Sequence, residues 1–177
     1  TNYTGLTKGD SDFEGYISNG DINKNGLIDA YDISVVATQL EGGVDNRGTE
    51  KVDGTIEIST SKQVYDKDEI QVKGVDLRAV NAFSFALPYN QQDYEFVGVE
   101  LQHMNAMENL TYDRLHSNGS KALYPTFVNV GNKKTLEGTV DLFLLKFKAK
   151  RQVKFGLKII DGLLVDKRLN TRRSGVQ

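Results

Sequence analysis

Residues 80–101 read VNAFSFALPYNQQDYEFVGVEL. Phe83, Phe85 and Leu87 alternate with smaller or polar neighbours, and Phe96, Val97 and Val99 carry the apolar set past the polar stretch NQQD. A period of two is the mark of a strand, because successive side chains leave it on opposite faces. The same period runs outward in both directions. Upstream, Ile56 and Ile58 alternate with polar residues, as do Ile70 and Val72. Downstream come ALYPTFVNV, DLFLLKFKA and VKFGLKII, the last with Val153, Phe155, Leu157 and Ile159. Roughly six to nine short strands separated by turns, with no helical interlude long enough for a crossover, predict a mainly β, antiparallel sandwich over residues 52–177. A stretch of about 125 residues is ample for one hydrophobic core.

Ahead of the sandwich the pattern changes. EGGVDNRGTEKVDG, residues 41–54, holds four glycines and many charges with almost no apolar residue, which predicts a flexible linker over 44–51. Before it, Ile33, Val36, Ala37 and Leu40 fall at i, i+3, i+4 and i+7, the spacing of one helical face, and Gly42–Gly43 ends the run. Residues 1–43 therefore read as a small separate module with one amphipathic helix. A helix that short is marginal in water and must bury its stripe against something.

That helix is preceded by GDINKNGLIDAYD, residues 20–32. Counted from Asp21 as the first of twelve, Asn23, Asn25, Asp29 and Asp32 stand at positions 3, 5, 9 and 12, Leu27 offers its carbonyl at 7, and Gly26 occupies 6. Those are the slots from which a calcium loop draws oxygen donors, with glycine where the chain turns sharply. Calcium is a hard cation that takes six to eight oxygens. A capped turn would account for one of the acids, whereas the alternating series and its three carboxylates call for a cation. Asp32 stands where the longer glutamate is usual, so its reach depends on how close the following helix comes. An overlapping template, Asp10 to Asp21, would share Asp21 and leave no helix between the two loops.

The loop, the short helix DAYDISVVATQL and the Gly-rich exit resemble one repeat of a dockerin, the EF-hand-like module that plugs bacterial carbohydrate-active enzymes into cohesin receptors. Dockerins carry two such repeats, so residues 1–43 read as the second half of a pair whose first half lies upstream. Residues 66–101, DKDEIQVKGVDLRAVNAFSFALPYNQQDYEFVGVEL, are similar to the opening of a cohesin. That resemblance implies a jelly-roll-like sandwich of the type shared with some carbohydrate-binding modules. Together the two resemblances imply a non-catalytic, extracellular, cell-surface or periplasmic assembly tail of a glycoside hydrolase active in polysaccharide degradation. Its cofactor would be Ca²⁺ and its partner a cohesin- or dockerin-type protein. In cellulosomal dockerins the two residues before the last ligand touch the receptor. Here they are Ala30 and Tyr31 rather than a hydroxyl pair, which points to a different partner or to docking of the two modules on each other.

Other chemistries find less support. A net charge of −2 sets up no field for nucleic acid or anionic membrane, and no run of apolar residues is long enough to span a bilayer. With no cysteine there is neither a disulfide framework nor a thiol nucleophile. His103 and His116 have no metal-ligand spacing, and no G-x-S-x-G or phosphate-cradling loop is present. The alternative reading is a carbohydrate-binding module, in which Tyr89 and Tyr94 stack sugar rings and the amides of PYNQQDY hydrogen-bond hydroxyls. Tryptophan, the usual platform, is absent. The basic cluster Lys167, Arg168, Arg172 and Arg173 reads as a solvated tail.

Overall fold

The computed structural model describes residues 2–14, 17–40, 42, 50–64, 67–104, 106–153 and 156–174. The predicted linker at 44–51 lies largely outside these, as does Phe155. One α-helix, α1 (Ala30–Leu40), precedes eleven strands: β1 (Asp53–Val64), β2 (Lys67–Val80), β3 (Ala82–Tyr89), β4 (Tyr94–Leu101), β5 (Glu108–Asn109), β6 (Tyr112–Leu115), β7 (Lys121–Tyr124), β8 (Thr126–Val128), β9 (Leu136–Ala149), β10 (Ile160–Val165) and β11 (Thr171–Ser174). Two short 3₁₀ turns, Ser11–Phe13 and Ile17–Gly20, lie upstream of the helix.

Among the described residues every strand pair is antiparallel. One sheet runs β1-β2-β9-β4; the other runs β11-β10-β3-β7-β6, with β8 beside β3 and β5 beside β8. The core between them is aromatic. Phe83 stacks on Phe127 at 5.4 Å between ring centres, Phe127 meets Phe143 at 4.9 Å, and Phe147 takes Tyr89 and Phe96 edge-on. Such rings bury large apolar areas and favour offset or T-shaped contacts. The alternation read in β3 is correct for this inner face: Phe83, Phe85 and Leu87 all point to the core.

The other face of β3 is not wet. Ala82, Ser84 and Ala86 are buried as well, because residues 2–40 lie across the sheet. Ala30 and Ala37 pack with Ala82, Val128, Leu163 and Val165, while Leu27 meets Ala86, Ala122 and Tyr124. Tyr31 and Ile33 pack beside the two alanines. The opposite sheet does keep a wet outer face. There Glu57 sits across from Lys73, Glu69 from Lys146 and Glu95 from Lys148, and opposite charges on facing strands attract.

Three expectations shift. The strand in this part of the chain is IDGLLV at 160–165, which takes in only the last residue of VKFGLKII; among the described residues of the expected alternating set Ile159 is buried and Val153 and Leu157 are half-buried, while Phe155 lies outside the described residues. Period-two reasoning misses β10 because Leu163, Leu164 and Val165 are covered on both faces, which erases the alternation. The basic cluster is solvated but not a tail: Arg172 and Arg173 are exposed on β11, and Arg172 pairs with Asp53 at 3.0 Å. The helix buries a different stripe from the one the apolar spacing predicts. Ala30, Asp32, Ser34 and Ala37 are buried, while Val36 and Leu40 are 50% and 81% exposed.

Candidate calcium site

The loop between the Ile17–Gly20 turn and α1, together with the first turn of α1, holds three carboxylates, Asp21, Asp29 and Asp32, all buried. Gly26 has φ +86°, a left-handed conformation that suits glycine, and Lys24 adopts φ 59° just before it. Asp21 accepts hydrogen bonds from the backbone N–H groups of Asn25 (3.1 Å) and Gly26 (2.7 Å). The Asn23 side-chain oxygen accepts from Asn25 N–H, and that of Asn25 accepts from Leu27 N–H. Asp29 accepts from the N–H of Tyr31, two residues on, which caps the helix, and from the Asn25 amide at 3.2 Å. Asp32 closes the ring, accepting from Ile22 N–H at 2.8 Å and Asp29 N–H at 2.9 Å. Side chains eleven residues apart in sequence thus fold back onto one loop.

Burial pushes the Asp32 carboxyl up to about 6; the nearby charges of Asp29 and Asp21 add to the rise, and the backbone donors Asp29 and Ile22 partly offset it. Asp29 is also raised, chiefly by burial, against donors from Asn25, Tyr31 and Asp32 and the positive charge of Arg173. Acids held this way are short of positive charge. The donor set is all oxygen and fits a hard cation in kind. Among the described residues, no three Asp, Glu or His side chains form a metal site by themselves. A six-donor set needs the amides of Asn23 and Asn25 and the Leu27 carbonyl.

Position 8 of the loop, Ile28, packs with Leu6, Phe13, Tyr3 and Ile17. It also exchanges backbone hydrogen bonds with the upstream chain: Gly5 N–H donates to Ile28 C=O, and Ile28 N–H to Leu6 C=O, both at 2.9 Å. Residues 5–8 therefore serve as the strand that ties the loop.

The remaining expected residues are placed as follows. Ala30 is fully buried and its N–H donates to Ser84 Oγ at 3.0 Å, so it faces the sandwich rather than an outside partner; Tyr31 is half-buried at the same contact. Tyr89 and Tyr94 are buried against Phe147, and Tyr89 OH donates to Asp113 at 2.7 Å. Neither ring has a face free for a sugar. Asn90, Gln91 and Gln92 do line an open hollow with Ser120 and Lys121, and Tyr89 borders it, but that ring is buried. His103 faces the carbonyl of Asp141 at 2.8 Å.

A second polar cluster has no signal in the sequence. His116 Nδ1 lies 2.8 Å from Asp10 Oδ2, and its Nε2 lies 2.7 Å from Tyr124 OH. Asp10 also accepts from the N–H groups of Thr7 and Ser117. Burial alone would raise Asp10; the Thr7 and Ser117 donors and His116 outweigh it and hold the carboxyl at about 2. Arg114 donates to the carbonyls of Asn2 and Thr4, both at 2.8 Å. Asp10 stands more than a hundred residues from His116 and Ser117, as Arg114 does from Asn2 and Thr4, so only the fold brings them together.

No protein-family model matches the chain, and no curated protein does. Solved structures do. The chain is similar to a cohesin module from a family 33 glycoside hydrolase of Clostridium perfringens, at 15% identity over 71% of this chain and 92% of that one, with a TM-score of 0.53. It is similar to a non-cellulosomal cohesin from the archaeon Archaeoglobus fulgidus, at 14% identity over 70% and 85%, TM-score 0.51. A third match is the sixth cohesin of scaffoldin B from Acetivibrio cellulolyticus, solved in complex with a dockerin, at 15% identity over 70% and 94%, TM-score 0.54. Identities this low speak to fold, and the sandwich is cohesin-like. No described helix is long and apolar enough to cross a membrane.

Proposed function

We propose that the chain is a calcium-stabilised protein–protein assembly module, a cohesin-like sandwich carrying a dockerin-like calcium hand on one face. The observation that carries this reading is the loop itself: three buried acids, two amides and a carbonyl at calcium-loop spacing, with Asp32 pushed up to about 6. Asp21, Asn23, Asn25, the Leu27 carbonyl, Asp29 and Asp32 would hold Ca²⁺, and the ion would supply the positive charge that these acids lack. Its effect is to order the loop and seat α1. With calcium at about a hundred times its dissociation constant, linkage stabilises the segment by about 2.7 kcal/mol.

Partner recognition falls to the outward stripe of α1 rather than to Ala30. Val36 and Leu40 are exposed, and Ile33 and Val36 line a groove with Tyr3, Ile17, Ile28 and Leu110. An apolar strip of that kind suits a protein partner, which this reading takes to be of the cohesin or dockerin type. A site of modest calcium affinity fills outside the cytoplasm, where calcium is millimolar, and such a location suits a tail of a secreted carbohydrate-active enzyme. The test is a calorimetric titration of chelator-treated protein with Ca²⁺, beside the Asp21→Ala, Asp32→Ala double variant. One site that vanishes in the variant is expected; no heat in either protein would overturn the calcium reading.

A further inference from the structure

Arg173 sits on β11, at one end of the β3-centred sheet. The register fixes which way it faces. Arg173 is paired with Leu163 of β10, and Leu163 with Ser84 of β3, so the three form one row across the sheet. Residues directly opposite each other on antiparallel strands share a face. Leu163 packs with Ala30 and Ala37, and Ser84 Oγ accepts from the Ala30 N–H at 3.0 Å. Arg173 therefore belongs to the face that α1 covers, in the row where the helix begins. Neighbouring strands lie about 4.8 Å apart, so its backbone is about 10 Å from that of Ser84, a span that a long side chain largely bridges.

Arg172 is turned the other way. Its register partner Leu164 belongs to the large core, and its guanidinium pairs with Asp53 of β1. Arg173 makes no salt bridge among the described residues. Its charge acts instead on Asp29, the residue before Ala30.

Asp29 shares the loop with Asp21 and Asp32, and all three are buried. Three carboxylates make the empty loop strongly anionic, and a bound Ca²⁺ would cancel two of those charges. Attraction from a fixed cation is then strong for the empty loop and weak for the filled one. Such a cation weakens calcium binding by the factor by which calcium weakens the attraction, because linkage is reciprocal. For a divalent and a monovalent charge about 8 Å apart in water, Coulomb's law makes that factor on the order of fivefold.

We infer that Arg173 is a counter-charge built into the sandwich for this loop. It helps to seat the calcium-free segment on the sheet, and it sets calcium affinity below what the loop alone would give. The calcium half rests on the function proposed above, whereas the seating half stands without it.

The full chain is compared with its Arg173→Gln and Arg173→Lys variants, and with Arg172→Gln as an equally exposed control on the same strand. Calorimetric titration with Ca²⁺ at low salt should show Arg173→Gln binding about fivefold tighter than the parent. Arg173→Lys should stay near the parent, and Arg172→Gln should match it. In molar salt the difference should vanish, since the screening length falls to about 3 Å. A merely structural role would weaken calcium binding in Arg173→Gln instead. Unchanged or weaker binding, or an equal gain in Arg172→Gln, overturns the calcium half. In chelator-treated protein the Ala30 amide should exchange faster in Arg173→Gln than in the parent or Arg172→Gln; equal exchange overturns the seating half. No calcium heat in any of the proteins would remove the calcium hand itself, and the exchange comparison would still decide whether Arg173 seats the segment.

Discussion

Asp32 shows what one carboxyl implies for the loop. Its value in the fold, about 6, lies above the ordinary aspartate value near 3.9. A group raised in this way contributes stability that is fully present below pH about 4 and lost as pH rises through about 6. Calcium-free protein should accordingly hold residues 21–37 more firmly at pH 4.5 than at pH 7.5, read by amide exchange. Protons and calcium compete for the same oxygens, so calcium affinity should weaken as pH falls from 6 to 4.5. Asp10 has the opposite sign: held at about 2, it stabilises above pH 4, and that contribution fades as pH falls through 2. His116→Ala removes its partner and should cost about 1–3 kcal/mol in urea unfolding of the docked segment. Gly5 is the other sensitive residue. Its φ is +81°, and a Cβ there would come within 2.3 Å of the Tyr124 ring. Gly5→Ala should destabilise by about 1–3 kcal/mol, whereas Gly42→Ala, with open space around the added carbon, meets only backbone strain.

At the scale of elements, α1 shows how much of the structure can be read in advance. Its existence and its end follow from the spacing of Ile33, Val36, Ala37 and Leu40 and from Gly42. Its buried face does not, because hydrophobic size suggests Leu40 and Val36, while Ala30 and Ala37 are the helix residues buried against the sheet, with Tyr31 and Ile33 packed beside them. The reason lies in the partner surface, Ala82 on β3 with Val128, Leu163 and Val165, which belongs to strands about fifty residues or more away. Ala37→Leu should therefore overpack the contact and cost about 1–3 kcal/mol, while Leu40→Ser stays within about 0.5 kcal/mol. Ser34 Oγ is buried and has no partner among the described residues, so Ser34→Ala should be neutral or mildly stabilising; thermal melts decide both. The strands divide in the same way. Half-exposed β4 and the inner face of β3 show their period, but β10, covered on both sides, does not. At β4, Val97 and Leu101 are exposed, and a bulge at Phe96–Gly98 with the Lys146–Glu100 pair blunts that edge against pairing with other chains.

Across the whole molecule there are three layers: residues 2–40, the β3-centred sheet and the β2–β9 sheet with its ladder of facing charges. The antiparallel sandwich and the loop's donor series were legible in the sequence because both are local patterns. How the layers meet was not, because Asp10 with His116 and Ala30 with Ser84 are pairs that no local pattern encodes. Two cores of such different size should come apart in order. Calcium chelation should lower only an early transition, assigned to residues 2–40, and leave the sandwich's main transition in place. Phe143→Ala, at the centre of the large core, should lower the main one by about 3–5 kcal/mol; calorimetric scans with and without chelator separate the two.

The central claim is that calcium held by residues 21–32 seats α1 on the sandwich. Amide hydrogen exchange of the full chain, with calcium and with chelator, tests it most directly. The account predicts that calcium slows exchange at the Asn25, Gly26 and Asp29 amides in the loop, and also at Ala30, whose N–H reaches Ser84 across the contact. The β2–β9 sheet should stay unchanged. Identical exchange at all of these amides with and without calcium would contradict it.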